Sequence, residues 1–386
     1  MKVLVIGKPV YDYILPLVEF PLDGDKFFIE KSINTLSNFT SIVSILLSNY
    51  GLDTSYTGVI GEDNVGEKIK EIFTNNNVDI EYIETSYQEK SCISHKIYNQ
   101  KTNTFTSIEE SPIKQGLIKY KYEFTPDVVI MDNSDYNANM AAINNYENAK
   151  LIYIGEKYTK ESSVYCNKCN YVISNLKFAS ELTGVLNNLN KPKTIVSLFQ
   201  KYIDLYNSKL IIKLDNFDML YCINDEVRLI KNVNNNLKNK DYLYYSILIY
   251  FLINTDNIEN SIKYTNKVML NTNNDIDILK NIPENKAIEN YVTEIKNIEN
   301  TTEPLVNANE NNEKTITQTV QNTNTTNNVA NNTTPSKQKQ DILTPSQNNV
   351  VPKQTTQPEK IVQAEVTKID NLEMPQNKGD NNIERL

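Results

Sequence analysis

The chain predicts an α/β fold: a doubly wound, mostly parallel sheet with helices on both faces, a small β lid, and a disordered tail behind them. Three observations carry that reading. Short β-branched runs alternate with helical patterns through most of the chain, one stretch interrupts them with hairpin texture, and the composition shifts after Tyr291, the last aromatic residue.

The first strand is expected at residues 3–6, because MKVLVIGKPVYDYIL holds one lysine and an apolar run cut short by Gly7, Lys8 and Pro9. That run is too short for a secretory signal. Residues 17–31 set Pro21, Asp23, Gly24 and Asp25 among short apolar pieces. Helical patterns follow at 39–49 and 66–75, with a strand at 56–60 between them. CISHKIYNQKTNTFTSI, residues 92–108, places the turn residues 99–103 between two strand-like runs and predicts a hairpin. This hairpin and the 17–31 stretch are expected to pair into a small sheet, serving as a lid or as a surface for a homodimer. Strands are then expected at 128–131, 151–154, 171–173 and 210–213, and helices at 177–187, 193–206 and 242–253. Strand-helix alternation implies parallel strands joined by right-handed crossovers, with ligands beyond the carboxyl ends of the strands.

The domain is expected to span residues 1–295 and the tail 296–386. The tail, as in TQTVQNTNTTNNVANNTTPSKQKQ, cannot bury enough apolar surface to offset chain entropy of roughly 1–2 kcal/mol per residue. Residues 359–375 hold Ile361, Val362, Val366, Ile369 and Leu372 near helical spacing. They read as residual apolar residues in a solvated tail, or as a short motif that folds on a protein partner.

Charge narrows the function classes. Lys and Arg number 39 against 48 Asp and Glu, a net charge of -9, so no basic field draws the chain to nucleic acid or to an anionic membrane. No run of apolar residues reaches the length of a spanning helix, and a soluble, cytoplasmic protein is expected. Four cysteines are too few for a disulfide framework in 386 residues. Cys166 and Cys169 form a lone C-x-x-C; a zinc site needs four ligands, and His95 is the one histidine. The pair reads as two cysteines in a turn before a strand, and His95 as a partly exposed strand residue.

The order of motifs resembles the ribokinase-like (PfkB) carbohydrate kinases. GKPVYDYILPLVEFPLDGD resembles the family's opening, where a glycine closes the first strand and an aspartate five residues later binds sugar hydroxyls; here these are Gly7 and Asp12. GLDTSYTGVIGEDNVGEKI is similar to the family's LG-x-iGxvGdDxfGexl segment, with Gly51, Gly58, Gly61, Asp63 and Gly66 in place. PDVVIMDNS, NLKFASELTG, IIKLDNFDML and IPENKAIENYV follow in family order. The resemblance implies a ribokinase-like fold, a sugar or nucleoside substrate, and ATP with Mg²⁺ if the site is active.

The departures fall at the functional positions. Where the family has paired glycines and an asparagine before the first long helix, this chain has Ser37, Asn38 and Ile42. In the segment like N-x-x-E, Asn175 survives as a nucleotide and metal-shell residue, but the glutamate has become Phe178. The T-x-G-x-x-G strand end reads Lys213 to Asp218, placing Asp215 and Asp218 where a polyphosphate is expected. The GAGD turn, whose bare backbone N–H groups receive phosphoryl charge while its aspartate takes a proton, reads Lys238, Asn239, Lys240 and Asp241. Two readings follow for Asp241: the N-cap of a buried helix, with the lysines as its solvated flank, or a general base with Lys238, Asn239 and Lys240 forming a repaired phosphate site. Asp12 reads as a substrate ligand or as a cap of the first loop. The favoured function is a catalytically impaired homologue acting through ligand or protein binding; its rival is an active ATP-dependent sugar or nucleoside kinase.

Overall fold

The computed structural model describes residues 1–301 apart from 115, 118, 121, 186–190, 233, 235, 236 and 238, together with residues 366–368. In chain order its strands are β1 (Lys2–Ile6), β2 (Val10–Leu17), β3 (Ile33–Ser37), β4 (Asp53–Gly61), β5 (Ile83–Ser86), β6 (Cys92–Asn99), β7 (Thr104–Glu110), β8 (Val128–Met131), β9 (Lys150–Gly155), β10 (Tyr171–Asn175), β11 (Lys209–Lys213), β12 (Met219–Ile223), β13 (Glu226–Ile230) and β14 (Val366–Lys368). The helices are α1 (Phe39–Asn49), α2 (Asn64–Asn75), α3 (Tyr136–Asn145), α4 (Ser162–Lys168), α5 (Leu176–Thr183), α6 (Pro192–Leu205), α7 (Asp241–Thr255), α8 (Ile258–Leu270) and α9 (Asn285–Thr301).

The larger sheet runs β14-β13-β12-β11-β10-β9-β8-β1-β4-β5. It is parallel from β5 to β11 and antiparallel from β11 to β14. Central strands are buried on both faces: Val3 and Val5 join the core under α1, α7 and α8, while Leu4 and Ile6 join the core under α3 to α6. That two-sided burial explains why the runs read as continuous apolar pieces. The smaller sheet runs β3-β2-β6-β7.

The doubly wound sheet, its helices and the β lid match the expected fold class. The predicted hairpin is β6 and β7. Its partner is not the 17–31 stretch, however; that stretch is the connection between β2 and β3, and the pairing lies on either side of it. The strand alternation sits in VYDYILPL, and the turn residues Pro21, Asp23 and Gly24 fall outside the ladder. α5 stops at Thr183 rather than 187, because Gly184 takes a left-handed conformation (φ +66°) that closes the helix. α3 and α8 were not expected from the sequence: α3 is rich in Asn and Ala and shows no stripe of large apolar residues, whereas α8 carries Ile258, Ile262, Val268 and Met269 on one face and buries them.

α9 continues to Thr301, past the expected boundary at 295. The rest of the predicted tail, 302–365 and 369–386, lies outside the described residues. From the 359–375 segment, Val366–Lys368 forms a strand rather than a helix, pairing antiparallel with β13 at the sheet edge. No helix among the described residues is long and apolar enough to cross a membrane.

α7 is the central helix of one face. All residues from Leu243 to Ile253 are buried, so it is apolar all round and carries no polar stripe. Two of its tyrosine hydroxyls nevertheless have partners: Tyr244 donates to Asn266 Oδ1 (2.7 Å) and Tyr245 to the Ser174 carbonyl (3.3 Å).

α1 begins at a strained residue. Asn38 has φ 82° and ψ 160°, a region that side chains other than glycine's rarely occupy. Its side chain accepts from Ser41 N (2.8 Å) and donates to the Lys8 carbonyl, which holds the conformation in place. Asn38 thus holds a backbone conformation that glycine adopts without strain. Asn38→Ala should lose both hydrogen bonds and keep the strain, costing about 2 kcal/mol in urea unfolding. Asn38→Gly loses the same bonds but relieves strain of roughly 1–3 kcal/mol, and should fall within about 1 kcal/mol of the native chain.

Candidate functional site

A cavity of about 280 Å³ opens where the lid faces the carboxyl ends of β9 and β11 and the first turn of α7. The lid contributes Asp12 and Ile14 from β2, Thr35, Leu36 and Ser37 from β3, Lys96 from β6, and Phe105, Ser107 and Glu109 from β7. The domain contributes Phe39, Glu156, Asn239, Asp241, Tyr242, Ile276 and Ile278. The cavity lies where an open α/β sheet places ligands.

Asp12 is buried, with only 2% of its surface exposed. Its Oδ2 pairs with Lys96 Nζ at 2.5 Å, and its Oδ1 has no hydrogen-bond partner among the described residues. Burial raises its pKa, opposed by the Lys96 ammonium. Directly opposite on β3 is Thr35, whose buried Oγ1 also lacks a partner. A buried polar atom without a partner is uncommon and calls for one.

The second ion pair joins β11 to α7: Lys213 Nζ lies 2.7 Å from Asp241 Oδ1 and 4.4 Å from the centroid of the Phe217 ring. Asp241 is therefore not the N-cap, which is Lys240 and makes no side-chain capping bond. Asp241 is the first helical residue, where a carboxylate still favours the helix dipole but its oxygen is held by Lys213. Glu156, just past β9, lines the cavity, exposed to the solvent that fills it although protein atoms crowd around the carboxyl. Desolvation by that crowding, then the Asp241 charge, pushes its carboxyl up to about 7, against the pull of Lys213.

The GAGD-like stretch is described at Asn239, Lys240 and Asp241. Asn239 takes the left-handed conformation (φ +65°), and its side-chain amide donates to the Asn103 carbonyl at the lid's turn (3.0 Å). Lys240 is buried, with its ammonium on Thr272 Oγ1 (3.0 Å), and burial lowers its pKa. It is neither a solvated flank nor a lining of the cavity. Lys238 lies outside the described residues.

Asn175 caps α5 by accepting from Phe178 N (2.8 Å) and donates to the Glu156 carbonyl (2.9 Å), so it shapes the cavity wall without lining it. Phe178 points into the core; a Cβ on Gly155 would stand 2.7 Å from its ring, so the ring fills the space that the glycine leaves. Asp215 is exposed. Asp218 turns back on its own loop, accepting from Asn232 N (2.7 Å) and the Asn216 amide (2.9 Å). Among the described residues no three His, Cys, Asp or Glu side chains are grouped to hold a metal ion. These groups do not fit a polyphosphate and its metal.

The remaining candidates fall away from the cavity. Asp63 caps α2 through Val65 N and Gly66 N and also accepts from Ser91 N. His95 stacks on Tyr13 on the outer lid. Cys166 lies inside α4 rather than in the turn expected before the strand, because the helix runs on to Lys168, and Cys169 is its C-cap; both are buried, and burial pushes the Cys166 thiol up to about 12, so neither is a ready nucleophile.

The model of the pfkB family carbohydrate kinases matches residues 43–237. The chain belongs to that family. No curated protein matches it by sequence. Solved PfkB relatives share the fold at low identity. A ribokinase described as putative, from Agrobacterium tumefaciens, aligns with TM-score 0.63 and 13% identity over 77% of this chain and 98% of its own. The Arabidopsis thaliana ribokinase, crystallised with ribose and ATP, aligns with TM-score 0.59 and 12% identity over 75% and 98%. The Methanocaldococcus jannaschii nucleoside kinase aligns with TM-score 0.59 and 13% identity over 76% and 98%.

Lys96, Glu156, Lys213, Thr35, Glu109 and Tyr242 were not singled out from the sequence. Lys96 had one legible signal, since its even spacing from Ser94 in the hairpin puts both on one face.

Two predictions follow from the charges. Lys96→Met leaves Asp12 buried without its cation and should cost about 3–5 kcal/mol by urea unfolding, whereas the double variant Asp12→Asn with Lys96→Met should recover most of that loss. Glu156 binds its proton more tightly folded than unfolded, so its contribution is fullest below the ordinary carboxyl value of 4.5 and is lost as pH rises through about 7. The stability difference between Glu156→Gln and the native chain should therefore shift by about 1 kcal/mol in favour of the variant across that window, allowing for the exposure of the group to the cavity.

Proposed function

We propose that this PfkB family member no longer transfers phosphate and works instead by binding a small molecule in the lid cavity, or a protein partner. The observation that carries the reading is the Lys213 ammonium held on Asp241, with its ring contact to Phe217. One oxygen of the carboxylate that would act as base is engaged by a cation from the strand end where the nucleotide side of the site would begin, which lowers its basicity. Three further features support it. Asn239 and Lys240 are committed to Asn103 and Thr272, Phe178 puts a ring where the family has a metal-shell carboxylate, and the cavity carries four carboxylates against the approach of an anion. The ligand would be a sugar, a nucleoside or a molecule of similar size, with Asp12 as its main anchor.

The rival reading keeps one observation in its favour. Asp241 and Asp12 line the same cavity, as a phosphoryl-transfer base and a hydroxyl ligand would, with ATP and Mg²⁺ as the required cofactors. We further propose a cytoplasmic protein that pairs through its lid, where Ile108 on β7 and Phe28 on the β2–β3 connection are 67% and 87% exposed.

Calorimetric titration with MgATP should give no specific binding, and a panel of sugars and nucleosides with MgATP should give no phosphorylated product. Turnover in the native chain that vanishes in Asp241→Asn, with folding unchanged, would establish the kinase instead.

A further inference from the structure

Four carboxylates face the cavity: Asp12, Glu109, Glu156 and Asp241. Two ammonium groups answer them, Lys96 on Asp12 and Lys213 on Asp241. Glu109 and Glu156 form no ion pair among the described residues, although they approach from opposite sides, one on the lid and one at a strand end. The Tyr242 hydroxyl in the wall registers this field. Its pKa is raised first by burial and then by Asp12, Glu156, Glu109 and Asp241 together.

We propose that the cavity takes a small organic cation, a protonated amine carried on a hydroxylated body of about monosaccharide size. This rests on the small-molecule reading above and names the ligand class for the same site. An acidic cluster alone would not suffice, but Asp12 and Thr35, each 2% exposed, line this cavity, and Asp12 Oδ1 and Thr35 Oγ1 have no hydrogen-bond partner among the described residues. An ammonium offers three donors and a hydroxyl one, which meets a bare carboxylate oxygen and a bare hydroxyl oxygen together. The aromatic walls Phe39, Phe105 and Tyr242 suit a cation, whose charge is attracted to ring faces. A phosphorylated ligand would meet the two unanswered carboxylates and be repelled. A bare metal ion is the weaker alternative, because the carboxylates are not grouped closely enough to coordinate one.

The test is calorimetry on the full chain with a matched series: sorbitol, glucamine (its amine analogue) and sorbitol 6-phosphate, at slightly alkaline pH so that Glu156 is ionised and the amine stays charged. Glucamine should bind about tenfold or more tighter than sorbitol, since hydrogen bonds to charged groups are worth that much. Sorbitol 6-phosphate should be the weakest of the three. In the double variant Glu109→Gln with Glu156→Gln, checked for folding by its thermal unfolding midpoint, the preference should fall to about twofold or less. Equal affinity for glucamine and sorbitol, a preference that survives the double variant, or no glucamine binding up to millimolar concentration would each overturn the inference. Sorbitol binding without amine preference would remove this inference and leave the small-molecule reading. Phosphorylation of glucamine with MgATP would do the reverse, overturning the non-phosphorylating reading while the amine preference stands.

Discussion

Two lysines hold together a cavity that its carboxylates would otherwise force open. Lys96 answers Asp12 within the lid, and Lys213 answers Asp241 between β11 and α7. In the first pair the buried charge is the Asp12 carboxylate and in the second the Lys213 ammonium, and either would be costly to leave without its partner. The lid strands β2 and β6 can lie in register with Asp12 inside only because Lys96, two residues beyond Ser94, turns inward with it. The start of α7 can face the strand ends only because Lys213 meets it there. What lies between the pairs, Glu109 and Glu156, inherits an uncompensated field.

Asparagine takes much of the left-handed backbone in this chain. Ten glycines serve 386 residues. Among the described residues eight others have positive φ, and five of them are Asn: Asn38, Asn77, Asn103, Asn224 and Asn239. Asparagine tolerates left-handed backbone because its short amide can bond locally. The β12–β13 hairpin turns on Asn224 and Asp225 at φ 51° and 61°, the conformation a tight two-residue turn demands. Asparagine keeps such a backbone shape but fills with its side chain the open space that glycine would leave. At Asn239 that side chain is spent on the lid.

The fold was legible wherever hydrophobic period and turn chemistry agreed. α1 reads from the sequence at both ends, and β8 likewise, because each is an apolar run between clear stops. α3 was not legible, since YNANMAAINN buries Ala138 and Ala142 rather than large side chains and its pattern looks polar. β2 and β3 were displaced in the reading because turn residues drew attention to the connection rather than to the strands. In the site, Asp12 and Asp241 were legible by family spacing, and their convergence on one cavity followed from it. Lys213 was not, because a lysine at a strand end is ordinarily solvated, and Lys96 offered only its even spacing from Ser94 within β6; tertiary contact alone reveals that both meet a carboxylate. The N-cap reading of Asp241 failed for a local reason: Asn239 in left-handed geometry starts the helix one residue earlier.

The uniform burial of α7 carries a consequence for the geometry at its first residue. A helix with a polar stripe is oriented partly by water, but one that is apolar on every side is oriented by close packing and by whatever directional contacts it makes. Tyr244 on Asn266 and Tyr245 on the Ser174 carbonyl supply them, and both lie within one turn of Asp241. Turning the helix far enough to aim Asp241 away from Lys213 would orphan two phenols in a dry interior. The aim of the carboxylate is thus locked from inside the core by hydroxyl groups that never meet the cavity.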